Sequence, residues 1–91
     1  MKSFTYTVKD KSGLHARPAG IIVNCARAFA SDVLIKKNGP DSTERAADAK
    51  KLISLMSLGI RTGDEITVIV SGADEIVAAK ELSRVCRETL G

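Results

Sequence analysis

The stretch SGLHARPAGIIVNCARAF, residues 12–29, marks the point where an extended segment becomes a helix. Its apolar residues recur at helical spacing, with Ile21 at the edge of the apolar stripe. Proline is tolerated only in a first helical turn, where backbone amides lack a helical acceptor, so Pro18 predicts a helix that begins near residue 15 or 16. His15, the single histidine of the chain, is therefore the candidate N-cap residue. The predicted inward positions are Ile22, Cys25, Ala26 and Phe29.

Segments on both sides of this helix have the pattern of half-buried strands. SFTYTVKD (3–10) and DEITVIVSG (64–72) alternate apolar and polar residues, and SDVLIKKNG (31–39) predicts a strand that runs into a turn. DEIVAAKELSRVCRETL (74–90) predicts an amphipathic last helix. Its predicted inward residues are Ile76, Ala79, Leu82 and Cys86.

The segment PDSTERAADAKKLISLMSLG, residues 40–59, admits two interpretations. Helix propensity favours one long helix. The alternative is a loop, a short strand from Arg45 to Ala49, and a helix from about Lys51 to Leu58 that ends at Gly59. Periodicity does not decide between them, but either order predicts a small sheet with helices on one face, an α+β two-layer sandwich.

Composition restricts the class of protein further. A chain of 91 residues, 44% hydrophobic and 27% charged, predicts a single soluble domain over residues 1–91. No apolar run approaches membrane-spanning length and no signal peptide is evident, so we expect a cytoplasmic protein without membrane insertion. Cys25 and Cys86, with one histidine, do not form a usual zinc site, and we expect free thiols, no metal and no cofactor.

His15 and Arg17 form the chemical candidate of the sequence. A helix N-terminus offers unpaired amides and a partial positive charge, so the amides of Ala16 and Arg17 can receive phosphate oxygens. The Arg17 guanidinium adds a permanent cation, and a neutral imidazole is nucleophilic near pH 7. A lone histidine more often only caps a helix, but the combination predicts that His15 accepts a phosphoryl group.

These residues resemble the histidine-containing phosphocarrier proteins (HPr) of the bacterial phosphoenolpyruvate-dependent sugar phosphotransferase system. GLHARPAG (13–20) is similar to the family's active-site signature, LMSLGI (55–60) to the end of its second helix, and SGADE (71–75) to the turn before its last helix. The resemblance implies a four-stranded antiparallel sheet, its third strand short, under three helices. It also implies that His15 accepts phosphate on Nδ1 from phosphorylated enzyme I and passes it to IIA domains of sugar permeases, with Arg17 stabilising the phosphoryl group.

Two features depart from the family. The link between the second and third strands is about five residues longer, and the resemblance places the addition within Pro40 to Glu44 and turns Ala47 and Ala49 inward. In the Gram-positive branch a kinase phosphorylates a serine at the start of the second helix, and the alignment puts Lys51 there. A lysine offers no hydroxyl, and Ser54 and Ser57 are poor substitutes, so we expect that this regulation is absent.

A docking surface is predicted beside His15. Leu55 and Leu58 share one side of the second helix, so Ile53 and Met56 lie well round from them and can be exposed. With Ile21 and Leu52 these two would form an apolar patch that Lys51 borders, although all four apolar residues could instead be core.

Three functional classes follow from the sequence. The first is a monomeric phosphoryl carrier that is not itself an enzyme, with enzyme I and IIA proteins as partners. The second is an HPr-like regulatory protein without a transport role, which an intact His15 argues against. The third is a nucleic-acid-binding module, which the scarcity of aromatic residues argues against.

Overall fold

The computed structural model describes residues 1–39 and 46–91. A short strand forms at Ala46–Asp48, so the interpretation of residues 40–59 as one long helix is wrong, and the proposed position of the added residues lies outside the described part of the chain. None of the helices in the described ranges has the length and apolar character needed to cross a membrane. The elements are β1 (Lys2–Thr7), α1 (Ala16–Arg27), β2 (Asp32–Lys37), β3 (Ala46–Asp48), α2 (Leu52–Met56), β4 (Glu65–Ser71) and α3 (Glu75–Leu90).

The four strands form one antiparallel sheet in the order β1-β4-β2-β3. Val68 of the central strand β4 lies opposite Phe4 on one side and Ile35 on the other, and Ile35 lies opposite Ala47 of β3. Val68, Ile35 and Ala47 are buried and Phe4 is half-buried, so this row crosses the sheet on its covered face. The strand alternation predicted from the sequence is confirmed.

The three helices cover that same face of the sheet. Each helix directs apolar side chains into the single core, and the most deeply buried of them include Ile22 of α1, Leu55 of α2 and Leu82 of α3. Ala47 and Ala49 are buried as the family resemblance implied. The predicted open-faced α+β sandwich with three helices on one face is confirmed.

Two details of the helices differ from the prediction. Ile76 was expected inward, but its side chain is 70% exposed. Ile76 lies six residues before Leu82, so the two side chains are about 120° apart around the helix axis. The small Ala78 occupies the inward position of this turn. The second helix is also shorter than the predicted Lys51 to Leu58, because Lys51 is its N-cap and Ser57 its C-cap.

Both cysteines are free thiols, as predicted. Burial raises the pKa of Cys86 to about 12, with Cys25 as the next contribution. Burial is also the main cause that raises the pKa of Cys25, followed by the nearby charge of Glu81. Burial thus disfavours the thiolate form of both residues, which is the nucleophilic form of cysteine.

Asp74 links the start of α3 to the connection between α1 and β2. Its carboxylate accepts the backbone N–H groups of Ala30 and Ser31, each at 2.9 Å, and the Ser31 hydroxyl. Gly72 makes this approach possible, because a Cβ there would lie 2.6 Å from the Ser31 Oγ and its φ is +154°. The Ser31 hydroxyl and then the Ala30 amide are the largest causes that lower the pKa of Asp74.

We expect Asp74→Ala to lower the melting temperature by several degrees at pH 7, because three donors lose their acceptor. A lowered folded-state pKa stabilises the protein above the unfolded carboxyl pKa of about 3.9, and this stabilisation is lost as the pH falls through the folded-state pKa. The gap in melting temperature between wild type and variant should therefore narrow as the pH falls below about 4. Asp32→Ala, at an exposed position of β2, is the control, and a gap that stays constant with pH would refute this role.

Candidate phosphoryl-accepting site

His15 occupies the N-cap position of α1, as the sequence predicted. Its backbone is extended, with φ −96° and ψ −174°, and its carbonyl accepts the N–H of Ala19 at 3.0 Å. The side chain is exposed and makes no capping hydrogen bond. The imidazole therefore extends from the start of the helix without serving as its cap.

The segment just before His15 packs against the connection between α2 and β4. Leu14 donates its N–H to the Ile60 carbonyl at 3.1 Å, and Gly13 has φ +65°. A Cβ on Gly13 would lie 3.0 Å from both the Arg61 Cα and the Ile60 carbonyl oxygen. Only glycine combines this left-handed conformation with so close a backbone contact, so Gly13 fixes where His15 begins the helix.

The C-terminus of α3 completes the surroundings of His15. The N–H groups of Lys9 and Asp10 both donate to the Leu90 carbonyl, at 2.8 and 2.9 Å, which ties the β1–α1 connection to the end of α3. An open depression of about 310 Å³ forms between these segments. It is lined by Asp10, His15, Arg17, Pro18, Ile21, Glu88 and Thr89.

The first turn of α1 offers few backbone donors. Pro18 has no N–H, and the N–H of Ala19 is used by the His15 carbonyl. The amides of Ala16 and Arg17 are the remaining donors of this turn, next to the imidazole. The structure thus brings His15 and Arg17 to one depression, together with a helix N-terminus that favours anions.

Asp10 and Glu88 also line the depression, and no pattern in the sequence predicts their place there. Glu88 lies more than 70 positions from His15, and no motif connects the two. The two residues meet because the end of α3 packs beside the β1–α1 connection, and local sequence carries no signal for that packing.

The predicted docking residues lie mostly at the surface. Ile53 is 79% exposed, Ile21 is 44% exposed, and Leu52 and Met56 are each 38% exposed, so the interpretation that all four are core is wrong. Lys51 is exposed as well. Ile21 contributes to the depression that contains His15. The role of these residues in docking stays a prediction.

Two hydrogen bonds hold the start of α2 against the end of α1. The Arg27 Nε donates to the Lys50 carbonyl at 2.8 Å, and the Lys50 Nζ donates to the Phe29 carbonyl at 2.8 Å. The second bond also places a cation at the negative end of the α1 dipole. Lys51 and Leu52 are thereby held at a fixed position relative to α1.

The fold is thus an open-faced α+β sandwich with an exposed histidine at the start of α1. Residues 2–88 match the protein family described as PTS HPr component phosphorylation site. The chain belongs to this HPr family of phosphocarrier proteins of the phosphotransferase system.

Individual relatives agree with this assignment. The chain is 45% identical over 75 residues to phosphocarrier protein HPr of Mycoplasma genitalium, covering 82% of this chain and 81% of that protein. It is 41% identical over 81 residues to HPr-like protein Crh of Bacillus subtilis, covering 89% of each. A solved histidine-containing phosphocarrier protein of Mycoplasma superposes with a TM-score of 0.88 at 31% identity, over 98% of this chain and 96% of that one. A crystal structure of Crh, with a TM-score of 0.72, 38% identity and coverage of 94% and 93%, is a dimer with a swapped domain.

Proposed function

We propose that this protein accepts a phosphoryl group on His15 from phosphorylated enzyme I and passes it to IIA domains of sugar permeases. The observation that carries the proposal is the exposed His15 side chain, which makes no capping hydrogen bond and shares a depression with Arg17. In the transfer, a lone pair of the imidazole forms the new N–P bond while the bond between phosphorus and the donor breaks. The donor atom keeps that bonding electron pair, so the step needs no further reactant.

Backbone and side-chain donors next to His15 suit the transferred group. The amides of Ala16 and Arg17 and the Arg17 guanidinium supply hydrogen bonds to phosphoryl oxygens, and the partial positive charge of the α1 N-terminus favours the dianion. Nδ1 of His15 is the nitrogen that the family resemblance assigns to the phosphoryl group.

The partner surface in this proposal is the apolar patch of Ile21, Leu52, Ile53 and Met56, with Lys51 at its border. Exposed apolar side chains suit brief contacts with several proteins, and Ile21 also lines the depression that contains His15. The flexible side chain of Met56 adapts to different surfaces. We propose a cytoplasmic monomer, although the relative Crh forms a dimer.

The other two functional classes are less well supported. A regulatory protein without phosphoryl transfer would not need His15 and Arg17 together at the start of α1. For nucleic-acid binding, stacking on bases requires exposed aromatic rings. Phe4, Tyr6 and Phe29, the aromatic residues of this chain, all pack against the core.

Incubation with phosphoenolpyruvate and enzyme I tests the proposal directly. We expect one added phosphate by intact mass, which mild acid removes, because phosphohistidine is acid-labile and phosphoserine is not. Omission of enzyme I is the control. Absence of any acid-labile phosphate with an enzyme I that phosphorylates a known HPr would contradict the proposal.

Arg17→Ala should slow phosphoryl transfer about 10- to 100-fold while some acceptance persists. The variant loses hydrogen bonds from a charged donor, worth roughly 1.5 to 3 kcal/mol, but keeps the backbone amides of the first turn. Rapid-quench measurement of transfer from phosphorylated enzyme I gives the rate. Arg87→Ala, which removes an exposed arginine of α3 outside the depression, is the matched control. Equal rates for the two variants would show that Arg17 is only a surface charge.

A further inference from the structure

The depression around His15 contains two carboxylates that phosphoryl acceptance does not require. Asp10 and Glu88 line it together with His15 and Arg17, so its titratable and charged lining groups are two acids, one arginine and one histidine. A site that only had to bind a phosphoryl dianion would be expected to collect cations. The two acids therefore need a different explanation.

Backbone contacts hold Asp10 in this position. Its N–H donates to the Leu90 carbonyl at 2.9 Å, and its carbonyl accepts the N–H of Gly13 at 3.0 Å and the Thr62 hydroxyl at 2.5 Å. Its Oδ1 accepts the N–H of Ser12 at 2.8 Å. The carboxylate is thus fixed in the turn that leads into His15.

Glu88 reaches the depression from the last turn of α3. Its Oε2 forms an ion pair with the Arg84 Nη1 at 2.7 Å, and Arg84 also pairs with Glu81. One guanidinium is therefore shared between two carboxylates, and this group of three side chains keeps a net negative charge. Arg84 therefore offsets the charge of Glu88 only in part, and Glu88 contributes negative potential on the wall of the depression.

From this arrangement we infer that Asp10 and Glu88 set the phosphoryl-donor strength of His15 by destabilising its phosphorylated form. The inference rests on the proposed function. Phosphorylation adds close to two negative charges at His15, and carboxylates on the same depression repel them. The amides and Arg17 stabilise the phosphoryl group, whereas the two acids keep it from being held too firmly to be passed on.

The chemical step is the same N–P exchange as in the proposed function. The His15 nitrogen gains the phosphorus and the donor nitrogen recovers its electron pair, or the reverse when the chain donates. Asp10 and Glu88 form no bond to phosphorus in either direction. The two carboxylates act on the phosphoryl group through charge alone, so their effect should appear in the equilibrium of the exchange.

A partition experiment measures that equilibrium. Phosphorylated wild-type chain labelled with ¹⁵N is mixed with an equal amount of unlabelled Glu88→Gln chain and a trace of enzyme I, which exchanges phosphate between them. Intact mass then gives the ratio of the two phosphorylated chains. Asp10→Asn and the double variant are tested in the same way, and both substitutions keep the size and acceptor oxygen of the side chain.

At low salt we expect each single variant to hold about two- to fivefold more phosphate than the wild type, and the double variant more than either. The shift should shrink near 1 M salt, where the Debye length is about 3 Å. Glu81→Gln is the matched control, because it makes the same charge change to the same Arg84 cluster about 10 Å further along α3. It should leave the partition near one.

A partition near one for the double variant, or one that favours the wild type, would overturn the inference while leaving the proposed function intact. A shift of equal size with Glu81→Gln would also overturn it, since the effect would then follow net charge alone. If neither chain carried acid-labile phosphate, the proposed function would fail, and this inference with it.

Discussion

His15→Ala is expected to abolish acid-labile phosphorylation by phosphoenolpyruvate and enzyme I while leaving the fold intact. His15 is the only histidine of the chain, so no second imidazole can take the phosphoryl group. The side chain is exposed and makes no capping hydrogen bond, so its removal should change the free energy of unfolding by no more than about 0.5 kcal/mol. Loss of function without loss of stability separates a chemical role from a structural one.

Intact mass before and after mild acid treatment gives the phosphate, and thermal melting gives the stability. Asn24→Ala is the control, because Asn24 is an exposed residue of α1 that does not line the depression. It should accept phosphate like the wild type. Acid-labile phosphate on His15→Ala would place the reactive group elsewhere and would contradict the proposed site.

The position of His15 at the start of α1 could be predicted from local sequence, because the ring of Pro18 restricts where the helix can begin. Pro18 is compatible only with a first turn, which placed the N-cap at His15, and Arg17 follows on the same turn. Strand alternation similarly placed Val68 and Ile35 on the covered face of the sheet, since side chains alternate with a period of two.

Features that depend on distant packing were not accessible in this way. The strand order places β4 between β1 and β2, and a single sequence carries no direct signal for such pairing. Asp10 and Glu88 meet beside His15 because α3 ends at the β1–α1 connection, and neither residue belongs to a local motif. The predicted inward position of Ile76 is wrong because the apolar pattern of α3 also contains Val77 and Ala78, and the small Ala78 is the residue that packs inward.

We expect that the kinase that phosphorylates a serine in Gram-positive relatives does not phosphorylate the wild type, and that it does phosphorylate the Lys51→Ser variant. Lys51 is the N-cap of α2, with an extended backbone at φ −123° and ψ 115° and no side-chain capping bond. A serine fits this conformation, caps the helix and replaces a cation that opposes the helix dipole. We therefore expect a gain of about 0.5 to 1 kcal/mol in the free energy of unfolding and a hydroxyl where the kinase acts on those relatives.

The other serines of this region, Ser54 and Ser57, already use their hydroxyl groups in hydrogen bonds. The Ser54 hydroxyl accepts the N–H of Asp48 at 3.1 Å and is half-buried, and the Ser57 hydroxyl donates to the Ser54 carbonyl at 2.6 Å. Phosphorylation of Ser54 would place a dianion in a part-buried contact between α2 and the end of β3, at a desolvation cost.

Incubation with ATP and a Gram-positive HPr kinase distinguishes phosphorylation at position 51 of the variant from phosphorylation at Ser54 or Ser57. We expect acid-stable phosphate on Lys51→Ser and none on the wild type or on Lys51→Ala, the control that removes the lysine without supplying a hydroxyl. The phosphorylated Lys51→Ser protein should then accept phosphate from enzyme I more slowly, because a dianion at the border of the apolar patch replaces the cation that we expect to attract acidic partner surfaces. Acid-stable phosphate on the wild type, mapped to Ser54 or Ser57, would show that Lys51 does not occupy the regulatory position. An unmodified Lys51→Ser protein would show that a hydroxyl at this N-cap is not enough for the kinase.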